Sequence, residues 1–172
     1  MKAVAAAAGV SVPTVEAAFG TKAKLLKAAI DVATAGDDAP VAMLDRTWVA
    51  RAQAHTNADG FVAEFAAVLT ASAQRAAGLI LAALDAARLD PEISAVAAQM
   101  AVQREVMAAW LVDGVARRGS LREGLSRAEA VDTVWLLMDP AVYSRLTGPR
   151  GWPPGRFQAW FGRSVLHLLQ SG

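Results

Sequence analysis

The stretch AGVSVPTVEAAFGTKAKLL, residues 8–26, decides how the beginning of the chain folds. Gly9 stands where the backbone must bend tightly, and Ser11 and Thr21 are residue types that accept backbone N–H groups at helix starts. Pro13 falls in the first turn after Ser11, where its missing N–H costs little. The pattern predicts three short helices, over residues 2–8, 12–19 and 22–34.

Helical patterns continue through the rest of the chain. Residues 35–40, AGDDAP, gather helix-ending and turn residues, so we expect a boundary there between a head segment (1–36) and a body segment (37–172). Asp90-Pro91-Glu92 and Ser126-Arg127-Ala128-Glu129 are typical helix starts. The sequence therefore predicts an all-α protein, with body helices over 41–54, from 59 or 60 to 87 with a break near Gly78, over 90–117, 126–138 and 139–147, and over 156–170.

Composition narrows the chemistry. The chain has no cysteine, and its two histidines lack partners at metal-ligand spacing, so we expect no metal site and no cofactor. No nucleophile with a base and no paired carboxylates appear at usable spacing, and we expect no enzyme. No apolar run approaches the roughly 20 residues that cross a bilayer, so we expect a cytoplasmic protein without a membrane partner.

Charge is unevenly distributed along the chain. All four lysines lie in the first 27 residues and give residues 1–36 a net charge of +2 against two acids. The remainder carries 13 arginines against 14 acids, a net charge of −1. Only the head segment leans toward the positive charge that a nucleic-acid partner requires.

Together these residues resemble the TetR family of one-component repressors. The head matches the family pattern at Ala8, Gly9, Val10, Ser11, Thr14, Phe19, Lys22 and Leu25. Residues 135–143 (WLLMDPAVY) and 151–160 (GWPPGRFQAW) look like the final helices of many such regulators. The resemblance implies a helix-turn-helix head on a helical ligand-binding and dimerisation bundle.

By that resemblance the second helix would present Val12, Pro13, Thr14 and Ala17 to DNA, and Lys22 would contact a phosphate. A lysine at a helix N-terminus suits that role, because the backbone N–H groups there also bind phosphate oxygens. Glu16 departs from the family, which commonly has a tyrosine at this position. A carboxylate beside phosphates is repelled, so DNA affinity should be lower.

A second departure is the first helix. Family members begin with a helix that precedes the turn motif, but here only Met1 and Lys2 precede the second one. Without the first helix, the side chains of the head core would be exposed or covered by a partner: Val4, Val10, Val15 and Phe19. Either the true start lies upstream, which we favour, or the head is degenerate.

The resemblance also assigns roles in the body segment. Large apolar side chains at helical spacing are ordinary core residues or the lining of an apolar pocket. The predicted pocket comprises Phe61, Phe65, Met100, Met107, Trp110, Trp135 and Met138. The predicted dimer interface comprises Val131, Val134, Trp160, Phe161, Val165 and Leu169.

The sequence thus predicts a homodimeric repressor that binds operator DNA and releases it when a small hydrophobic ligand binds. The alternative is a TetR-like dimer that binds a small molecule but, with an incomplete head, binds no DNA.

Overall fold

The computed structural model describes residues 1–170, and that part of the chain forms helices joined by turns and loops. The all-α prediction is confirmed; the last two residues of the predicted body segment lie outside the described part. The helices are α1 (Lys2–Ala8), α2 (Val12–Phe19), α3 (Lys22–Ala35), α4 (Thr47–Ala54), α5 (Ala58–Ala86), α6 (Pro91–Ala116), α7 (Arg127–Leu137), α8 (Pro140–Thr147) and α9 (Pro154–Leu169), with a 3₁₀ turn at Met43–Asp45.

Side-chain caps set most of the helix starts. Ser11 Oγ accepts the N–H of Thr14 at 3.2 Å, and Asp90 Oδ1 accepts two backbone N–H groups at the start of α6. Ser126 and Glu129 form the expected capping box at the start of α7. Because these caps satisfy N–H groups that the first helical turn leaves free, the predicted starts of α2, α6 and α7 are confirmed.

Two predicted boundaries differ from the structure. Helix α5 passes through Gly78 without a break, and it begins behind Asn57, whose Oδ1 accepts the N–H of Gly60 at 2.9 Å. A single helical glycine costs only about 1 kcal/mol, and the buried neighbours Ala76 and Ala77 offset it. The region 41–54 divides at Arg46, whose extended backbone separates the 3₁₀ turn from α4.

Helix α5 is the centre of the fold. It packs against α3, α4, α6, α8 and α9, while α7 packs against α6 and α9. The main core lies along α5 and contains the fully buried side chains of Phe61, Phe65, Leu111, Phe157 and Phe161. The body is therefore built around one long helix.

A second, smaller core attaches α3 to the body. It consists of Ala23 and Ile30 from α3, Ala83 from α5, and Ile93 and Val96 from α6. The head segment is thus held to the body through α3, whereas α1 and α2 pack mainly on each other and on α3.

Helix α5 also corrects the expectation that no segment could span a bilayer. It is 29 residues long, and its most apolar window has a mean hydropathy of 1.5, so it could cross a membrane by length and composition. Five other helices pack against it, and core helices of soluble proteins pass the same test. One such helix is weak evidence for a membrane span.

Candidate functional site

The head segment places two short helices around a tight turn. Gly9 adopts a left-handed conformation with φ 67°, which ends α1 and reverses the chain toward α2 at little cost because glycine has no Cβ. Ser11 and Thr14 then share a 2.8 Å hydroxyl contact at the first turn of α2. The turn is therefore fixed by the backbone freedom of one residue and the side chains of two others.

Four of the five predicted DNA-contacting residues are exposed. Pro13, Thr14 and Ala17 fall on one face of α2, because Ala17 lies one turn beyond both Pro13 (i+4) and Thr14 (i+3). Lys22 is exposed at the first position of α3, whereas Val12 is half-buried. The three exposed residues of α2 therefore form a small, uncharged face, and the ammonium group of Lys22 follows it in the chain.

Three apolar side chains of the head lack cover in the described chain. Val4, Val10 and Phe19 are 44%, 43% and 40% exposed, as predicted for these three side chains. Val15 differs, since it is the one buried residue of α2, which packs against α1 and α3. Glu16 is exposed on the same helix.

The structure divides the predicted pocket residues between the two cores. Phe61 and Phe65 are fully buried, and Trp110 packs on both, with ring centroids 4.9 Å and 6.1 Å away. Met107, Trp135 and Met138 pack around the same core, but Met100 belongs to the smaller core beside α3. Phe61 and Phe65 are therefore core residues, and the other five are half-buried side chains packed against the two cores.

The structure places most residues of the predicted dimer interface inside the chain. Val134, Phe161, Val165 and Leu169 have no exposed surface, and Val131 is buried as well, so a partner could not contact these side chains without opening the protomer. The apolar stripe of α9 is buried in its own chain, where α9 packs most extensively on α5. Of the six residues, Trp160 alone is half-buried.

Other body residues expose apolar surface instead. Val102 and Val106 lie one turn apart on α6 and are 60% and 51% exposed, and Leu136 on α7 is 61% exposed. Their exposure was not predicted from the sequence, because helical spacing alone does not tell which face of a helix packs against its own chain.

An open cleft of about 250 Å³ lies where α3 ends, between the segment 43–51 and α5. One wall is apolar and includes Met43, Trp48, Val68 and Ala71. Trp48 is held in place because its indole N–H donates to the carbonyl of Met43 at 2.9 Å, and its ring packs edge-on against Trp110. These two contacts fix the position of the Trp48 ring in this wall.

The other wall of the cleft carries three arginines, Arg46, Arg51 and Arg75. Arg46 forms a two-pronged ion pair with Asp37, at 2.6 Å and 2.9 Å. Arg51 pairs with Glu64 at 2.8 Å. The hydrogen bond from Arg46, assisted by the N–H of Ala39, holds the pKa of Asp37 below its ordinary value.

Arg75 differs from its two neighbours because it pairs with no carboxylate within residues 1–170. Its Nε donates to the carbonyl of Ala33 at 2.8 Å, and its Nη2 donates to that of Thr34 at 3.1 Å. Arg75 thus caps the negative C-terminal end of α3 from a different helix. Three arginines therefore line the cleft, and two of them are paired with carboxylates that do not line it.

The cleft was not predicted from the sequence, although the isolated charge of Arg75 on α5 is unusual. Arg75 is the single charged residue between Glu64 and Asp85 on an otherwise apolar helix. An arginine on such a stretch marks the side of α5 that reaches solvent, and Arg75 is exposed there.

No other site chemistry is evident in the described chain. Within residues 1–170 no three His, Asp or Glu side chains lie close enough together to hold a metal ion. Tyr143, the one tyrosine of the sequence, is buried against Phe157, and this burial raises the pKa of its hydroxyl.

Comparisons with known proteins add no relative to these observations. The chain matches no protein-family model, no curated protein and no solved structure.

Proposed function

We propose that the chain is a ligand-responsive DNA-binding repressor of the TetR type, acting in the cytoplasm as a homodimer. The observation that carries the proposal is the exposed face of Pro13, Thr14 and Ala17 on α2, directly followed by Lys22. A short helix behind a tight turn can enter the major groove, and small side chains on it allow close approach to base edges.

Charge supports the same proposal. The head segment holds all the lysines, and Lys22, Lys24 and Lys2 are exposed there. Each lysine that neutralises a phosphate releases a bound counterion, so such binding depends steeply on salt.

In this mechanism a small, mostly apolar ligand binds a state of the dimer whose two recognition helices no longer match successive major grooves. The ligand lowers operator affinity by its differential affinity for the two states and by no more. The structure offers α3 as the connection, since it joins α2 to the smaller core of the body.

The second candidate is a dimeric small-molecule-binding protein that does not bind DNA. It is favoured by the exposed apolar side chains Val4, Val10 and Phe19, which leave the head without a closed core, and by Glu16 beside the proposed contact face.

Fluorescence anisotropy with the DNA upstream of the protein's own gene separates the two candidates. A repressor should bind that DNA at low salt. Lys22→Gln should make the slope of log K against log salt shallower by about 1.8, which is about 0.9 for each protomer of the dimer. Arg163→Gln, at an exposed position of α9, is the control and should leave the slope unchanged. Absence of binding at low salt would refute the repressor proposal and favour the second candidate.

A further inference from the structure

We propose that the cleft between α3, α4 and α5 binds a short carboxylate-bearing amphiphile, with its anionic group on Arg75 and its apolar part against Val68 and Trp48. The binding site stands on the geometry of the cleft alone, and its role as the effector site rests on the repressor function proposed above.

The charges in the cleft select an anion. Two of the three arginines are paired directly with Asp37 and Glu64. Arg75 contacts no carboxylate directly within residues 1–170, and its charge is offset only in part, by Asp37 at longer range and by the end of α3. Arg75 uses Nε and Nη2 on neutral carbonyls, and its Nη1 donates to no residue within 1–170. A carboxylate makes stronger, charge-assisted hydrogen bonds with a guanidinium than a backbone carbonyl does. The cleft would therefore prefer an anion to a neutral or cationic group.

The opposite wall selects an apolar body of limited size. Met43, Trp48, Val68 and Ala71 present carbon surface, and Trp48 is fixed by its hydrogen bond to Met43. The cleft is open to solvent, and its volume of about 250 Å³ suits a short chain rather than a long one. Hexanoate, a straight-chain carboxylate, combines a short apolar body with the required charge.

Such a ligand would compete with α3 for Arg75. The same guanidinium that would hold the carboxylate now caps the carbonyls of Ala33 and Thr34 in the last turn of α3. When the carboxylate takes these donors, the last turn of α3 loses its cap, and α3 is the helix that follows the proposed recognition helix. Ligand binding and the position of the head are thus coupled through one side chain.

The test measures binding of hexanoate by isothermal titration calorimetry with the full chain, with hexanol and hexylamine as neutral and cationic controls of equal length. Hexanoate should bind at least tenfold more tightly than either control. Arg75→Gln should weaken hexanoate binding about tenfold or more, as expected for loss of a charge-assisted contact. The matched control Arg88→Gln changes an exposed arginine just beyond the end of α5 and should leave the affinity unchanged.

A second variant keeps the proposal testable if Arg75→Gln does not fold. Ala71→Leu fills the cleft from α5 without altering its charge, and it should also abolish hexanoate binding. Equal binding of hexanoate and hexanol, equal effects of Arg75→Gln and Arg88→Gln, or no hexanoate binding at all would each overturn the proposal.

The two proposals fail in different ways. If the wild-type chain binds hexanoate through Arg75 but does not bind DNA at low salt, the proposed binding site is supported and the proposed repressor function is refuted. If the chain binds DNA and hexanoate has no effect on that binding, the repressor function stands and the role of the cleft as effector site falls.

Discussion

A pair of glycine-to-alanine substitutions should change stability in opposite directions. In Gly114→Ala on α6, the added methyl would overlap the ring of Phe61, whereas in Gly78→Ala on α5 it would meet nothing within 4 Å. The ring of Phe61 cannot withdraw easily, because Arg118 stacks on it at 4.1 Å and Trp110 packs at 4.9 Å between centroids. The two substitutions are identical in chemistry and differ only in the space around them.

The magnitudes follow from two effects. Alanine stabilises a helix interior by about 1 kcal/mol relative to glycine, and this gain applies at both positions. Overpacking a filled core costs about 1–3 kcal/mol. This cost applies only at Gly114, and it lies in the upper part of that range, about 2–3 kcal/mol, because the added methyl would overlap ring carbons of Phe61. We therefore expect Gly78→Ala to raise the free energy of unfolding by about 0.5–1 kcal/mol, and Gly114→Ala to lower it by about 1–2 kcal/mol.

The assay is urea-induced unfolding followed by circular dichroism at 222 nm, at one protein concentration for all variants. An unchanged slope with denaturant would show that the shifts reflect native-state stability. If Gly114→Ala proved as stable as the wild type while Gly78→Ala was stabilised, the close packing of Phe61 against α6 would be refuted.

Three further predictions concern caps, core and acid stability. Ser126→Ala removes the capping box of α7 and should lower the free energy of unfolding by about 1 kcal/mol in the same urea assay; no change would contradict the cap. Leu111→Ala should lower the free energy of unfolding by about 2–5 kcal/mol, because the side chain is fully buried. Leu89→Ala, at a side chain that is 92% exposed, should change it by no more than about 0.5 kcal/mol. Similar values for both variants would contradict the assigned core. Arg46 lowers the pKa of Asp37, so this carboxylate stabilises the fold above the ordinary pKa of about 3.9 and loses that effect as pH falls through its lower folded value. Unfolding free energies measured between about pH 2 and 5 should therefore depend less on pH in Asp37→Asn than in the wild type, and equal slopes would contradict the ion pair.

Local chemistry made much of the fold predictable from sequence. A cap such as Ser126 with Glu129 involves four consecutive residues, and its hydrogen bonds form whatever the rest of the chain does. The extent of α5 was harder to predict, because a glycine at position 78 breaks an isolated helix more readily than one held by packing on five neighbours.

The partner of an apolar face was not predictable in this way. The spacing of Phe157, Phe161, Val165 and Leu169 shows that α9 has one apolar stripe, and a second copy of the chain or its own α5 could cover that stripe equally well. The cap that Arg75 places on α3 joins residues about 40 positions apart, so no local pattern contains it.

The contacts of α3 suggest why a small ligand could alter the head. The smaller core holds α3 through the apolar contacts of Ile30 with Ile93 and Val96, which a bound carboxylate would not affect. Arg75, in contrast, holds the end of α3 by hydrogen bonds that a ligand can replace one for one. If α3 keeps its apolar contact at Ile30 and loses the hydrogen bonds at its C-terminal end, it can tilt about that contact without unfolding. The two states differ in whether Arg75 donates its hydrogen bonds to the end of α3. If the ligand binds the state without these bonds tenfold more tightly, the equilibrium between the two states shifts tenfold and no further. The affinity difference produced at Arg75 therefore limits how strongly a ligand in the cleft can change the position of the head.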